Sequence, residues 1–337
     1  MTTGSIEVVA TTISGSIRDW AKVERIVPLF REAGCDDVTL HAVDSHEDAR
    51  RVTRDRLADG ARTVISAGGS GTFNRVLEGC IDSGVPLGEI RLGFLRKGSA
   101  DLIGKALGMP DEIEAAIRVF AESLAENRTV PCDVLRVESD RGPEPPRHFV
   151  GYGGAGLFGR IPHYTENRFI KYYKGVLGQL FGDMGPFFVG AVLASVERSA
   201  KRIVRREGPW TIEVDGREVA RRPYQALILA NGDLGPDMPF ARDVPLGSGD
   251  FHLFGLRDLG TLRLPGQFRR AWDASITADP ERWGFEPYRV TQQLRLVPES
   301  GAEFPVNVDG STMVCEAAAT FRIVDTIRLI AAPEREG

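Results

Sequence analysis

The first third of the chain alternates, and that alternation limits its fold more than any other feature. "SIEVVATT" reads as a buried strand, and "DWAKVERIVPLFREAG" follows with apolar residues at helical spacing and a closing glycine. "DVTLHAV" and "SHEDARRVTRDRLADG" repeat the pair, the helix opening on a capping Ser45 with acids in its first turn. "RTVISAGG" with "TFNRVLEGCIDSG", and "IRLGFLRKG" with "SADLIGKALG" and "DEIEAAIRVFAESLAEN", do so twice more. Strands separated by helices predict βαβ units and a largely parallel sheet.

The pattern changes near residue 130. "VPCDVLRVES" and "HFVGYGGAGLF" read as strands joined only by the Pro-rich "DRGPEPPR". A long helical stretch is expected from Pro162 to about Arg206. Beyond it the chain is strand-rich, with "VDG" turns at Val214–Gly216 and Val308–Gly310 between alternating strands. The expected fold is an α/β nucleotide-binding domain with a parallel sheet over 1–130, followed by a mainly antiparallel β-rich second domain over 131–319. A last strand, about 320–337, is a candidate to return to the first domain.

With 337 residues the chain suits two domains. A net charge of −5 gives no global basic balance for nucleic acid. The four cysteines are far apart with no CxxC spacing, which argues against a disulfide framework or zinc site and fits a reducing, cytoplasmic setting. The N-terminus does not read as a signal peptide, and no apolar run reaches about 18 residues.

"VISAGGSGTFNRVLEGC" carries the densest chemistry. A strand-to-helix turn gathers free N–H groups at the positive end of a helix, and glycines let an anion approach them. Gly68–Thr72 therefore reads as a phosphate cradle or as a turn whose glycines answer steric needs alone. "GGAGLFG", Gly153–Gly159, reads as close strand packing. His163 and His252 have no spacing that suggests metal or triad chemistry.

"GGSGTFNRV" resembles the ATP-binding motif GGDGTxNEV of the diacylglycerol kinase catalytic-domain superfamily, which includes bacterial lipid kinases, sphingosine kinases and ceramide kinases. Three more blocks follow in order: "FLRKGSADLIGKALGMP" for LPLGTxNDFARxLGIP, "LILANGDLGPDMPFARDVPLGSGDFHLF", and "VNVDGS" for the DGE turn. The resemblance implies an ATP-dependent kinase that transfers the γ-phosphoryl group to a lipid hydroxyl with Mg²⁺. It places nucleotide contacts at Gly68, Gly69, Ser70, Gly71, Thr72, Asn74, Gly98 and Ser99, catalytic carboxylates at Asp309 and Asp101, and a metal ligand at Asp250. Asp309 also suits a hairpin turn, and Asp101 and Ser99 also suit a helix start.

Several family acids are replaced, by Ser70, Arg75, Ser248 and Ser311. The replacements suggest a divergent branch, with ceramide or another long-chain amino-alcohol lipid as the preferred alternative to a diacylglycerol-like acceptor. A pseudokinase that binds nucleotide and lipid without turnover is the alternative, and a soluble-substrate kinase is a third reading. The aromatic, glycine-rich 169–196 segment reads as core or as a lipid-entry wall. With Lys171, Lys174, Arg202, Arg205 and Arg206 it would dock peripherally on an anionic membrane, at its inner face.

Overall fold

The computed structural model describes residues 5–11, 23–95, 102–160, 208–236, 238, 240–260 and 263–333. Gly98, Ser99, Asp101, His163, the expected 162–206 helical stretch and its basic residues lie outside the described residues. The chain divides into two units, 1–134 with 325–337, and 135–324.

The first unit has the alternation the sequence predicts. Strands β1 (Ile6–Thr11), β2 (Val38–Val43), β3 (Thr63–Ala67) and β4 (Arg91–Leu95) form a parallel sheet in the order β2-β1-β3-β4. The end of β16 (Ala319–Ile330) adds to β4, also parallel, with Arg328 opposite Arg91. The strands β1 and β3 are buried along their whole length, as expected when helices cover both faces of a parallel sheet.

The helices are α1 (Ile26–Glu32), α2 (His46–Ala58), α3 (Ser70–Asp82), α4 (Leu102–Ala106) and α5 (Ile113–Ala125). Ser45 caps α2 by accepting the Asp48 N–H at 2.9 Å, a contact typically worth about 1 kcal/mol. α2 and α3 pack closely because α3 presents a glycine to its neighbour. A Cβ on Gly79 would lie 2.5 Å from the Arg50 carbonyl oxygen.

The second unit contains two antiparallel sheets. One runs β16-β13-β8-β9, built from β13 (Gln293–Pro298), β8 (Trp210–Val214), β9 (Arg217–Arg222) and the start of β16. Strand β5 (Thr129–Ser139) pairs with β16 and with β6 (Arg147–Phe149). The other sheet runs β12-β11-β10-β7-β14-β15: β12 (Phe285–Val290), β11 (Phe251–Arg257), β10 (Tyr224–Ala230), β7 (Tyr152–Gly156), β14 (Phe304–Val308) and β15 (Ser311–Cys315). Phe149, Leu227, Leu229, Phe251, Leu294, Leu296, Val306 and Phe321 belong to one apolar core. The architecture is the predicted one: an α/β unit with a parallel sheet, then a mainly antiparallel β-rich unit.

Three local features differ from the sequence reading. "HFVGYGGAGLF" is not one strand; it breaks at Val150–Gly151 into β6 and β7, and 157–160 is helical. β12 is a separate strand that precedes the turn into β13. The strand-rich half also holds a helical excursion, α6 (Leu264–Trp272) and α7 (Pro280–Trp283), each with proline in its first turn. The glycines of "GGAGLFG" do serve close packing, since a Cβ on Gly154 would run into the Leu227 carbonyl oxygen of β10. No helix among the described residues is long and apolar enough to cross a membrane.

Candidate functional site

In the first unit β3 ends at Ala67 and α3 begins at Ser70, with Gly69 as N-cap. No side chain caps this helix, and no acid occupies its first turn. The Gly69 carbonyl accepts the Phe73 N–H at 3.0 Å, the first bond of the helix. The preceding N–H groups face outward from the positive end of a 13-residue helix, the arrangement that attracts phosphate.

The three glycines have different roles here. A Cβ on Gly68 would collide with the Thr72 side chain. One on Gly71 would lie 3.0 Å from Cε1 and 3.1 Å from Nε2 of His46 on α2. Gly69 is extended, at φ −87° and ψ −175°, a conformation open to any residue. Steric need thus bears on Gly68 and Gly71, while the backbone of Gly69 is open to any residue. Ser70 is exposed, Asn74 is buried, and Thr72 is buried with its hydroxyl 2.6 Å from that of Thr11 at the end of β1.

His46 is a neighbour that sequence reasoning passed over. Its Nε2 is buried with no hydrogen-bond partner among the described residues. Burial, then the charge of Arg75, pushes its pKa down. Only its place at the start of α2 hinted at this.

In the second unit Asp309 and Gly310 form the turn between β14 and β15, at φ 43° and 77°. Asp309 is 5% exposed. Its carboxylate accepts N–H groups from Val150 at 2.9 Å, from Gly151 at 3.1 and 3.2 Å, and from Tyr152 at 2.8 Å. Its own N–H donates to the Tyr152 carbonyl at 2.9 Å. Asn231 completes the joint, donating from Nδ2 to the Val150 carbonyl and from its backbone to the Gly151 carbonyl, both at 2.8 Å. Every backbone polar group of Val150–Tyr152 is therefore held by Asp309 or Asn231. This is why the chain breaks between β6 and β7. Burial pushes the Asp309 carboxyl up to about 6, against the pull of the Val150, Tyr152 and Gly151 N–H groups.

The other VDG turn repeats this geometry. Asp215 donates its N–H to the Gln293 carbonyl, and its carboxylate accepts the N–H groups of Thr291, Gln292 and Gln293. Asp215 belongs to no candidate site, so these backbone contacts show a structural role for Asp309 at the β6–β7 joint.

Asp250, read from the sequence as a metal ligand, is 4% exposed. Ser248 Oγ donates to its Oδ1 at 2.5 Å and Arg289 Nε to its Oδ2. Burial works to raise its pKa, but the Ser248 and Arg289 contacts outweigh this and hold the carboxyl below the usual range. Among the described residues no three His, Cys, Asp or Glu side chains gather as a metal site. Among the described residues Asp250 is paired with Arg289.

A parallel α/β unit with a glycine turn at a helix N-terminus, followed by an antiparallel unit with an Asn-Gly loop and a DG turn, is a fold shared with solved diacylglycerol kinase structures. Residues 6–137 match the diacylglycerol kinase catalytic domain, the superfamily whose motifs the sequence resembles. It is 29% identical over 175 residues to the "Probable lipid kinase YegS-like" of Xanthomonas campestris pv. campestris (strain 8004), covering 51% of this chain and 53% of that one. It is 29% identical over 264 residues to a relative of the same name from Alcanivorax borkumensis, covering 78% and 76%. The match to the Xanthomonas relative spans about half that protein's length. A crystal structure of a diacylglycerol kinase from Bacillus anthracis str. Sterne superposes with a TM-score of 0.64 at 16% identity, covering 98% of this chain and 97% of that one. A second from the same organism gives 0.69 at 17% identity, covering 98% and 95%. That likeness concerns the fold.

Proposed function

We propose that this chain is an ATP-dependent lipid kinase that transfers the γ-phosphoryl group of ATP to a lipid hydroxyl. The observation that carries the reading is the uncapped N-terminus of α3, delivered by the Gly68–Gly69 turn, inside the segment that matches the kinase domain. We assign nucleotide binding to the first unit and acceptor recognition to the second. The N–H groups of Ser70, Gly71 and Thr72 would hold phosphate oxygens. Phosphoryl transfer draws most of its acceleration from such positioning and charge stabilisation.

Within this reading Asp309 also fixes the start of β7, and Asp309 and Asp101 are the two carboxylates proposed to take the proton of the acceptor hydroxyl. Mg²⁺ would enter with the nucleotide. None of the relatives supports a pseudokinase, and the cradle keeps the backbone that phosphate binding needs.

The test is incubation with labelled ATP, Mg²⁺ and a panel of diacylglycerols, ceramides and sphingoid bases, followed by chromatography. A labelled lipid is expected. Binding of ATP and lipid with no labelled product across the panel would sink the kinase reading in favour of the pseudokinase.

A further inference from the structure

The second sheet of unit 2 has an outer face opposite the apolar core. Register places Thr312, Asn307, Gly154, Ile228, Phe254 and Pro287 in one row across it, from β15 to β12. Their chain neighbours Val306, Val308, Leu227, Leu229 and Leu253 point into the core, as strand alternation requires.

The row is apolar at one end. Phe254 stacks on Phe285 with centroids 5.6 Å apart and tilts against Phe240 at 5.3 Å. Gly154 supplies no side chain, and Phe158 lies over it. The other end is polar. Asn307 is 2% exposed, and its Oδ1 is buried without a hydrogen-bond partner among the described residues. Thr312, directly opposite, has its Oγ1 buried and equally unpartnered. Folded proteins leave few buried polar atoms unpaired, and two on facing residues ask for a function.

We propose that Asn307 and Thr312 are the headgroup-recognition pair for the acceptor, and that they select a lipid bearing a hydrogen-bond donor besides the hydroxyl that is phosphorylated. The inference rests on the lipid-kinase reading. Asn307 Oδ1 can only accept, and Thr312 Oγ1 can accept or donate. The reacting hydroxyl supplies one donor. A diester such as diacylglycerol has no second one, whereas an N-acyl amino alcohol has its amide N–H. The aromatic end of the row suits the acyl chain.

The test measures binding without ATP, so it does not depend on turnover. Short-chain N-acyl amino alcohol and diacylglycerol of matched chain length are titrated into the full chain and into Asn307→Leu/Thr312→Val. The wild type is expected to bind the amide at least about tenfold tighter, the scale of one buried hydrogen bond. The double variant is expected to bind both lipids alike. Its Tm should not fall, because no existing hydrogen bond is removed. Equal affinities in the wild type, a preference that survives in the variant, or a lowered Tm would each overturn the inference while leaving the kinase reading intact. If the wild type binds neither lipid, the lipid-acceptor reading fails and the inference fails with it.

Discussion

Asp215 and Asp309 make the same set of backbone contacts in two different solvents. Each sits before glycine in a hairpin turn, and each gathers three consecutive N–H groups from a segment distant in sequence. Asp215 is only partly buried. Burial works to raise its pKa, and the Thr291 hydroxyl with the Gln293, Gln292 and Thr291 N–H groups outweighs it and holds the carboxyl low. Asp309 is buried, and its carboxyl rises to about 6.

The two carboxylates therefore couple stability to pH with opposite signs. A folded pKa above the unfolded value of about 3.9 means that the fold binds that proton more tightly. Asp309 thus stabilises the fold most below about pH 4. That contribution, on the order of 3 kcal/mol for a carboxyl raised from about 4 to about 6, is lost as pH climbs through the folded value. Asp215, held low, contributes above the unfolded value, and its share is lost as pH falls through the folded one. Urea unfolding from about pH 3.5 to about pH 7.5 should show Asp309→Asn flattening the alkaline fall and Asp215→Asn flattening the acid one. A profile unchanged by Asp309→Asn would remove the buried-charge account.

Gly69 and Gly71 should separate binding from packing. Gly71→Val is expected to lower Tm by pressing on the His46 ring, and His46→Ala should restore much of it. Gly69→Val keeps an extended backbone that valine accepts and adds bulk at the helix end. We expect ATP affinity to drop about tenfold or more, roughly one charge-assisted hydrogen bond, with little change in Tm. ATP binding to a folded Gly69→Val protein at wild-type strength would argue against the cradle.

Thr11 and Thr72 form a buried hydroxyl pair. Thr72→Val leaves the Thr11 hydroxyl without that partner, at about 1–3 kcal/mol. Adding Thr11→Val should recover part of the loss, which a double-mutant cycle of unfolding free energies would read as coupling. Strictly additive losses would show that the two hydroxyls act independently.

Asp250 is predicted to act through Arg289. Asp250→Asn should leave unchanged the Mg²⁺ concentration that gives half-maximal phosphoryl transfer. A change of about tenfold or more, the scale on which metal-site support acts, would return Asp250 to the metal.

Local features were the legible ones. The βα alternation, the Ser45 cap, the glycine turn and both VDG hairpins can be read from neighbouring residues. What escaped depends on distant contacts. The β6–β7 break has no breaker of its own beyond Gly151, because Asp309, more than 150 residues on, imposes it. Asp250 is engaged by Arg289 and Gly71 by His46, and no spacing rule shows either pair. The α6–α7 excursion is short and proline-led, so its helical periodicity never accumulates.

The strand order of the first unit also sets a timetable for synthesis. Its fifth strand is the end of β16, and Arg328 leaves the ribosome more than two hundred residues after Leu95. At typical elongation rates β4 then waits roughly 10–45 s with one edge unpaired. During that interval it is a nascent edge strand, open to pairing with another chain. A fragment ending at Val134 would prolong the wait indefinitely, so a soluble nucleotide unit calls for grafting residues 325–333 back beside β4 rather than truncating the gene.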